Sequence, residues 1–271
     1  MDTTYNITYQ SNMIFTAVHS GHNLSNHVSA KIGISNLERI REEDPFTDQF
    51  VNDKNNYIVQ NTSRFEYDVN RSKTRAIYIN PDDCWGLPIY QKKALNISEV
   101  EMSLKQYDIF YENLTNIIDT HLELYEKLIV WDIHSYNHRR GGKNAEFDSN
   151  IDNPEIIIGT NNYQYMSASW KPLIEQIDDM FKSYTFKGNF PNRSLKQNFL
   201  DVRQNIKYPG GYLSQFINKK YPDNVCCLAI EFKKIWMNEW TQEIDESCFY
   251  QLKNLFNDIA KKTSFLLTKE F

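Results

Sequence analysis

Short apolar runs alternate with long amphipathic stretches along this chain, and that alternation limits its fold more than any other feature. Ile14 to Val18, Arg75 to Ile79, Leu128 to Ile133, Glu155 to Ile158 and Val225 to Phe232 read as buried strands. Between Val100 and Lys127, Leu104, Tyr107, Phe110, Leu114, Ile117, Ile118, His121 and Tyr125 recur at three- and four-residue spacing, which predicts an amphipathic helix. Trp170 to Tyr184 and Glu246 to Leu267 carry the same helical period. Strands interleaved with helices predict an α/β fold with a mixed, mostly parallel central sheet and helices on both faces. No repeat, low-complexity block or linker breaks the 271 residues, so one domain over residues 1–271 is expected.

Composition enters where it excludes. With 16 Phe, 17 Tyr and 5 Trp, the chain can fill a large core without metal or disulfide staples. A net charge of −5 with scattered Lys and Arg leaves no footprint for nucleic acid. No apolar run approaches the length of a membrane span, and the opening MDTTYNITYQSN has neither the basic nor the apolar region of a secretory signal. Cys84, Cys226, Cys227 and Cys248 show no CxxC pairing. Buried free thiols and a cytoplasmic location are therefore expected, with Cys226 and Cys227 on opposite faces of a strand.

In sheets of this class, polar residues at the carboxyl ends of strands tend to form the site. His19 follows the first strand, Asp132 and His134 close the one at Leu128, and Glu231 sits near the end of the strand before the last helix. His121 lies on an apolar helical stripe and reads as a core residue, while His22 and His27 read as solvated. Small neighbours leave room around His19 and His134, which is compatible with metal ligation, since zinc takes two imidazoles and a carboxylate and keeps one position open. The residues alone leave ligation and simple burial both standing. The acidic run Glu42-Glu43-Asp44 reads as a solvated cap, with Asp44 as N-cap and Pro45 at the first helical position, one turn before Asp48, a reading compatible with Asp44 also facing a site. Ser63 to Ser72 alternates polar and apolar residues as a half-buried strand does, then presents Asn70 beside Arg71, either a carboxylate clamp or a surface salt-bridge partner.

Taken in order, His19-Ser-Gly, Asp44-x-x-x-Asp48, Ser63-Arg64-x-x-x-Asp68-x-Asn70-Arg71, Asp132-x-His134-Ser135, Tyr208-Pro-Gly-Gly-Tyr212 and Ala229-Ile-Glu231 resemble the N-formylglutamate amidohydrolase family, over residues 12 to 240. That family is similar in fold to the zinc carboxypeptidases and aspartoacylase, so a zinc carboxypeptidase-like fold is expected. One ligand departs from those relatives: this chain reads His-x-x-His where they have His-x-x-Glu. The resemblance then implies a single zinc held by His19, Asp44 and His134, with Glu43, His22 and Asp48 as alternatives to Asp44. It implies Glu231 as general base, Arg64 as oxyanion donor, and Asn70 and Arg71 as the clamp for a substrate carboxylate. Arg193 or Arg203 would take a second carboxylate, and Gly210 and Gly211 would let backbone approach the ligand.

The expected activity is zinc-dependent hydrolysis of the amide of an N-formyl or N-acyl amino acid, a small carboxylate-bearing substrate, without nucleic acid or membrane partners. A carboxypeptidase acting on a peptide C-terminus, or an inactive binding protein on the same scaffold, are the other readings. The oligomeric state has no signal in the sequence.

Overall fold

The computed structural model describes residues 3–90 and 94–270, with side chains of the last helix as far as Thr268. A seven-stranded sheet organises the chain. Its strands are β1 (Thr3–Ile7), β2 (Met13–Ala17), β3 (Asn56–Gln60), β4 (Leu128–Tyr136), β5 (Ile156–Gly159), β6 (Val202–Gln204) and β7 (Val225–Lys233), in the spatial order β1-β3-β2-β4-β7-β5-β6. Neighbours pair in parallel except β1 with β3 and β5 with β7. The sheet is thus mixed and mostly parallel.

Side chains alternate across a strand, so each strand feeds two cores. On one face Ile129, Trp131, Cys226, Leu228 and Phe232 pack with α4 (Lys171–Lys182) and α6 (Glu246–Glu270). On the other, Leu128, Val130, Val225 and Cys227 pack with α3 (Ile97–Leu124) and α5 (Tyr212–Lys220). Cys226 and Cys227 do face opposite ways, and all four cysteines are buried and unpaired. Two-residue periodicity then carries Asp132 and His134 of β4, and Glu231 of β7, onto the α3/α5 face beyond the last apolar residues. The parallel register sets His134 directly beside Glu231. No described helix is long and apolar enough to cross a membrane.

Two segments expected as strands fold otherwise. Residues 75–79 leave a 3-10 turn (Lys73–Arg75) and bend inward, burying Ala76, Ile77 and Tyr78 without joining the sheet. Residues 63–72 are a chain of turns closed by Glu66 N–H to Ser63 O and Arg71 N–H to Asp68 O. Two α3 tyrosines hold this loop from behind, Tyr107 donating to Arg71 O at 2.8 Å and Tyr111 to Val69 O at 2.6 Å. Asp44 is not a helix cap either. It follows the end of α2 (Asn36–Glu42), whose last turn Pro45 cannot continue, and a short 3-10 turn starts only at Thr47.

Candidate active site

The ends of β2 and β4 and the corner after α2 bring His19, His134 and Asp44 together, all buried, with their ligand atoms within 4.8 Å of one another. One Asp44 oxygen, Oδ2, stands 3.5 Å from His19 Nδ1 and 3.1 Å from His134 Nδ1. Ligand atoms bound tetrahedrally at about 2.0–2.1 Å from an ion stand about 3.3 Å apart, so these spacings suit a divalent ion. The opposite ring nitrogens are occupied. His19 Nε2 hydrogen-bonds Asp68 Oδ1 at 2.7 Å, while His134 Nε2 faces Asp132 Oδ2 at 3.0 Å, off the line of a good hydrogen bond. Carboxylates behind metal-binding histidines fix the tautomer that frees the other nitrogen. The donor set therefore fits a zinc-type ion.

Each of the three consecutive acids meets a different partner. Glu42 takes Arg41 and Arg140; Glu43 takes Ser63 and His22; Asp44 takes the two histidines. All three are buried, so the solvated cap expected from the sequence is instead an inward-facing corner. His22 is correspondingly engaged, its Nδ1 on Glu43 and its Nε2 beside Arg39. Asp48 lies away from the three ligands, on a separate hollow beside His22 and Asn61.

Burial alone would raise the Asp44 pKa, but hydrogen bonds and charge from His134 and His19 outweigh it and hold the carboxyl well below the usual range. Burial likewise opposes a charged His134, yet the Asp132 carboxylate, aided by Asp44 and Glu231, keeps that imidazole protonated well above the ordinary histidine pKa. Glu231 goes the other way. Half-buried at the cavity floor, it is pushed up to about 7, chiefly by burial and further by Asp44 and Asp132 against the pull of the histidines. Its carboxyl accepts no hydrogen bond from any described residue.

These groups floor a cavity of about 630 Å³, open mouth included, walled by Arg64, Asn70, Trp85, Arg140, Tyr208, Gly210, Gly211 and Lys234 among others. Arg64 donates to Tyr78 Oη at 3.0 Å and Asp68 Oδ2 at 2.9 Å. Asn70 faces His134, and its Oδ1 accepts the Leu213 N–H at 3.0 Å, closing the start of α5, which has no cap of its own. Gly210 has φ +116°, and a Cβ there would meet Asn161 Nδ2 at 2.7 Å and Ser214 Oγ at 2.8 Å. A Cβ at Gly211 would overlap the Asn70 amide. The close backbone approach at Gly211 is therefore made to Asn70. Gly211→Ala should displace that amide and lower stability by about 1–3 kcal/mol, read as a lower denaturation midpoint at unchanged m.

Three expected binding residues stand elsewhere. Arg71 turns from the cavity, donating to Asp83 O at 2.6 Å and lying 4.4 Å from the centre of the Tyr78 ring. The turn after Asp68, in place of the expected strand, is what splits it from Asn70. Arg193 forks onto Glu155 at 2.6 and 3.0 Å, and Arg203 pairs with Asp201 and the carbonyls of Asn150 and Ile151. Neither lines the cavity. Conversely, Glu42, Trp85, Arg140, Tyr208 and Lys234 do; of these the sequence flagged only Tyr208, as part of a motif, and Glu42, in an acidic run read as a solvated cap. An arginine pair five and six residues past His134 was the one available signal for Arg140.

A raised-pKa carboxyl beside two histidines, at the strand ends of a covered sheet, is an arrangement that suits a hydrolytic α/β enzyme. More specifically, residues 11–237 match the family model for N-formylglutamate amidohydrolase, and the chain belongs to that family, which is one of amidohydrolases. Among solved structures, the N-formylglutamate amidohydrolase from Ralstonia eutropha JMP134 shares the fold with a TM-score of 0.75, 15% identity and 99% coverage of both chains. A gene product of Agrobacterium tumefaciens superposes with a TM-score of 0.60 at 16% identity, covering 93% of this chain and 92% of its own. Among curated protein sequences, none matches.

Proposed function

We propose that this protein hydrolyses the amide bond of an N-formyl or N-acyl amino acid bearing a free carboxylate, with one divalent zinc held by His19, Asp44 and His134. The observation that carries this reading is the convergence of two Nδ1 atoms on Asp44 Oδ2 next to a glutamate that accepts no hydrogen bond from any described residue. When bound, zinc supplies Lewis acidity and lowers the pKa of water from 15.7 towards about 7. Glu231 takes the proton of the attacking water and returns it to the leaving nitrogen, which suits a carboxyl whose pKa is near 7. Arg64, anchored by Asp68 and Tyr78, offers its remaining Nη1 to the oxyanion. Asn70, locked by Leu213, orients the substrate at the His134 side. Four buried thiols support a reducing, cytoplasmic setting.

Metal analysis of the purified, zinc-reconstituted protein should find about one ion per chain. An amine-release screen over N-formyl and N-acetyl amino acids should show turnover that a chelator abolishes and zinc restores. Failure to bind a divalent metal, or to release amine from any of these compounds, would sink the proposal.

A further inference from the structure

We propose that Arg140 holds the substrate carboxylate and so sets specificity; this rests on the N-acyl amino acid reading above. Three cations line the cavity: Arg64, Arg140 and Lys234. Lys234 spends all three donors inside the protein, on Arg41 O at 2.7 Å, Glu43 O at 2.8 Å and Asn137 Oδ1 at 2.9 Å. Arg64 is tied to Tyr78 and Asp68 beside the reacting centre. Arg140 meets Glu42 end-on, Nη1 at 3.4 Å and Nη2 at 3.1 Å, and no described residue accepts from its Nε. That leaves Nε–H and one hydrogen on each Nη for a ligand.

The surroundings favour an anion there. Glu42 is shared with Arg41 at 3.1 Å, so two guanidiniums face one carboxylate and a positive charge remains. Trp85 stands 5.2 Å from both Arg140 and Arg64, an aromatic platform for the two guanidiniums at the cavity wall. Arg140, Tyr208, Asp44 and Glu231 line the same cavity. An N-acyl amino acid with its carboxylate on Arg140 therefore has its amide in the cavity that Glu231 floors. Arg71, turned to Asp83 and the Tyr78 ring, does not line the cavity.

The test is calorimetric binding of N-formyl-L-glutamate and of its diamide to zinc-loaded protein, in a Glu231→Gln background so that turnover does not consume ligand. The carboxylate ligand should bind roughly 10- to 100-fold tighter than the diamide, as a charge-assisted fork allows. Because Arg140→Ala would strand a buried Glu42, the preference is read in the double variant Glu42→Gln/Arg140→Gln, checked for unchanged zinc content and unfolding temperature. There it should vanish. Arg140→Lys, which keeps the charge facing Glu42, should lose most of it because an ammonium lacks the fork. Arg71→Ala should retain it. The proposal is overturned if the parent shows no preference, if the double variant keeps it, or if Arg71→Ala abolishes it. Amine release by the otherwise wild-type enzyme is scored separately: carboxylate-selective binding without hydrolysis leaves Arg140 standing and removes the enzymatic reading.

Discussion

Glu231→Gln should lower turnover by about 10²–10⁴-fold while zinc content and substrate binding stay near wild type. The amide keeps the shape of the carboxyl but can neither take the water's proton nor return it. The pH profile makes the effect specific. A general base must be ionised, so kcat/KM of the wild type falls as pH drops through the pKa of Glu231, which is about 7 before any cation draws it lower. That acidic limb should disappear from the residual activity of the variant. Stability gives a second readout in the metal-free protein. A carboxyl whose folded pKa is raised binds more protons folded than unfolded between the ordinary glutamate value and about 7, so its contribution to stability declines as pH rises through that window. Glu231→Gln removes this decline. Near-normal turnover in the variant would remove Glu231 from the mechanism.

The second large effect falls on the metal. His134→Ala should strip the zinc and take activity to the background of the assay, with the fold retained because β4 is held by apolar residues on both faces. Binding should also depend steeply on pH. Asp132 and Asp44 hold His134 protonated above the ordinary histidine range in the empty site, and a metal displaces that proton. Zinc affinity should therefore rise about tenfold per pH unit below the folded pKa of His134, with one proton released per ion in buffers of different ionisation enthalpy. The sign for stability is the reverse of Glu231: a raised histidine pKa stabilises the metal-free fold below the unfolded value, and this is lost as pH rises through the folded one. Affinity independent of pH, or a His134→Ala protein that keeps its zinc, would remove His134 from the ligand set.

How much of this was legible depended on how a residue's role is encoded. β2, β4, β5 and β7 and helices α3, α4 and α6 announce themselves because packing on a two-sided sheet demands continuous apolar runs and three-four stripes. β3 hides because its ends are polar. Asn56, wholly buried, spends its amide on Thr8, Tyr9, Ser11 and Met13, satisfaction that no local pattern reveals. The alternation of residues 63–72 misleads for a related reason. Its buried members Phe65, Tyr67 and Val69 are inside because turns fold them there, and the period of two is incidental. His19, His134 and Glu231 could be nominated because polar groups at the ends of buried strands are costly without a purpose, whereas Asp44, in the corner after α2, came only with the family resemblance. The orientation of Arg71, Arg193 and Arg203 could not be read, since each is decided by an acceptor distant in sequence or by a turn. Arg140 lies in a loop, where no period marks which side chains face inward.

The sheet order also bears on how the chain must assemble. β5 and β6 join the rest of the sheet only through β7, which is made after both of them and inserts between β5 and β4. Until residues 225–233 emerge and pair along all nine positions of β4, that strand is an open parallel edge, and the β5/β6 unit has nowhere to dock. His19, Asp44 and His134 are all made by residue 134, but β7, which carries Glu231, arrives nearly a hundred residues later. Closure of the sheet and arrival of the glutamate proposed as general base are thus the same late event, one that spans long sequence separations and is correspondingly slow. A nascent chain gains Glu231 only as it seals the open edge of β4.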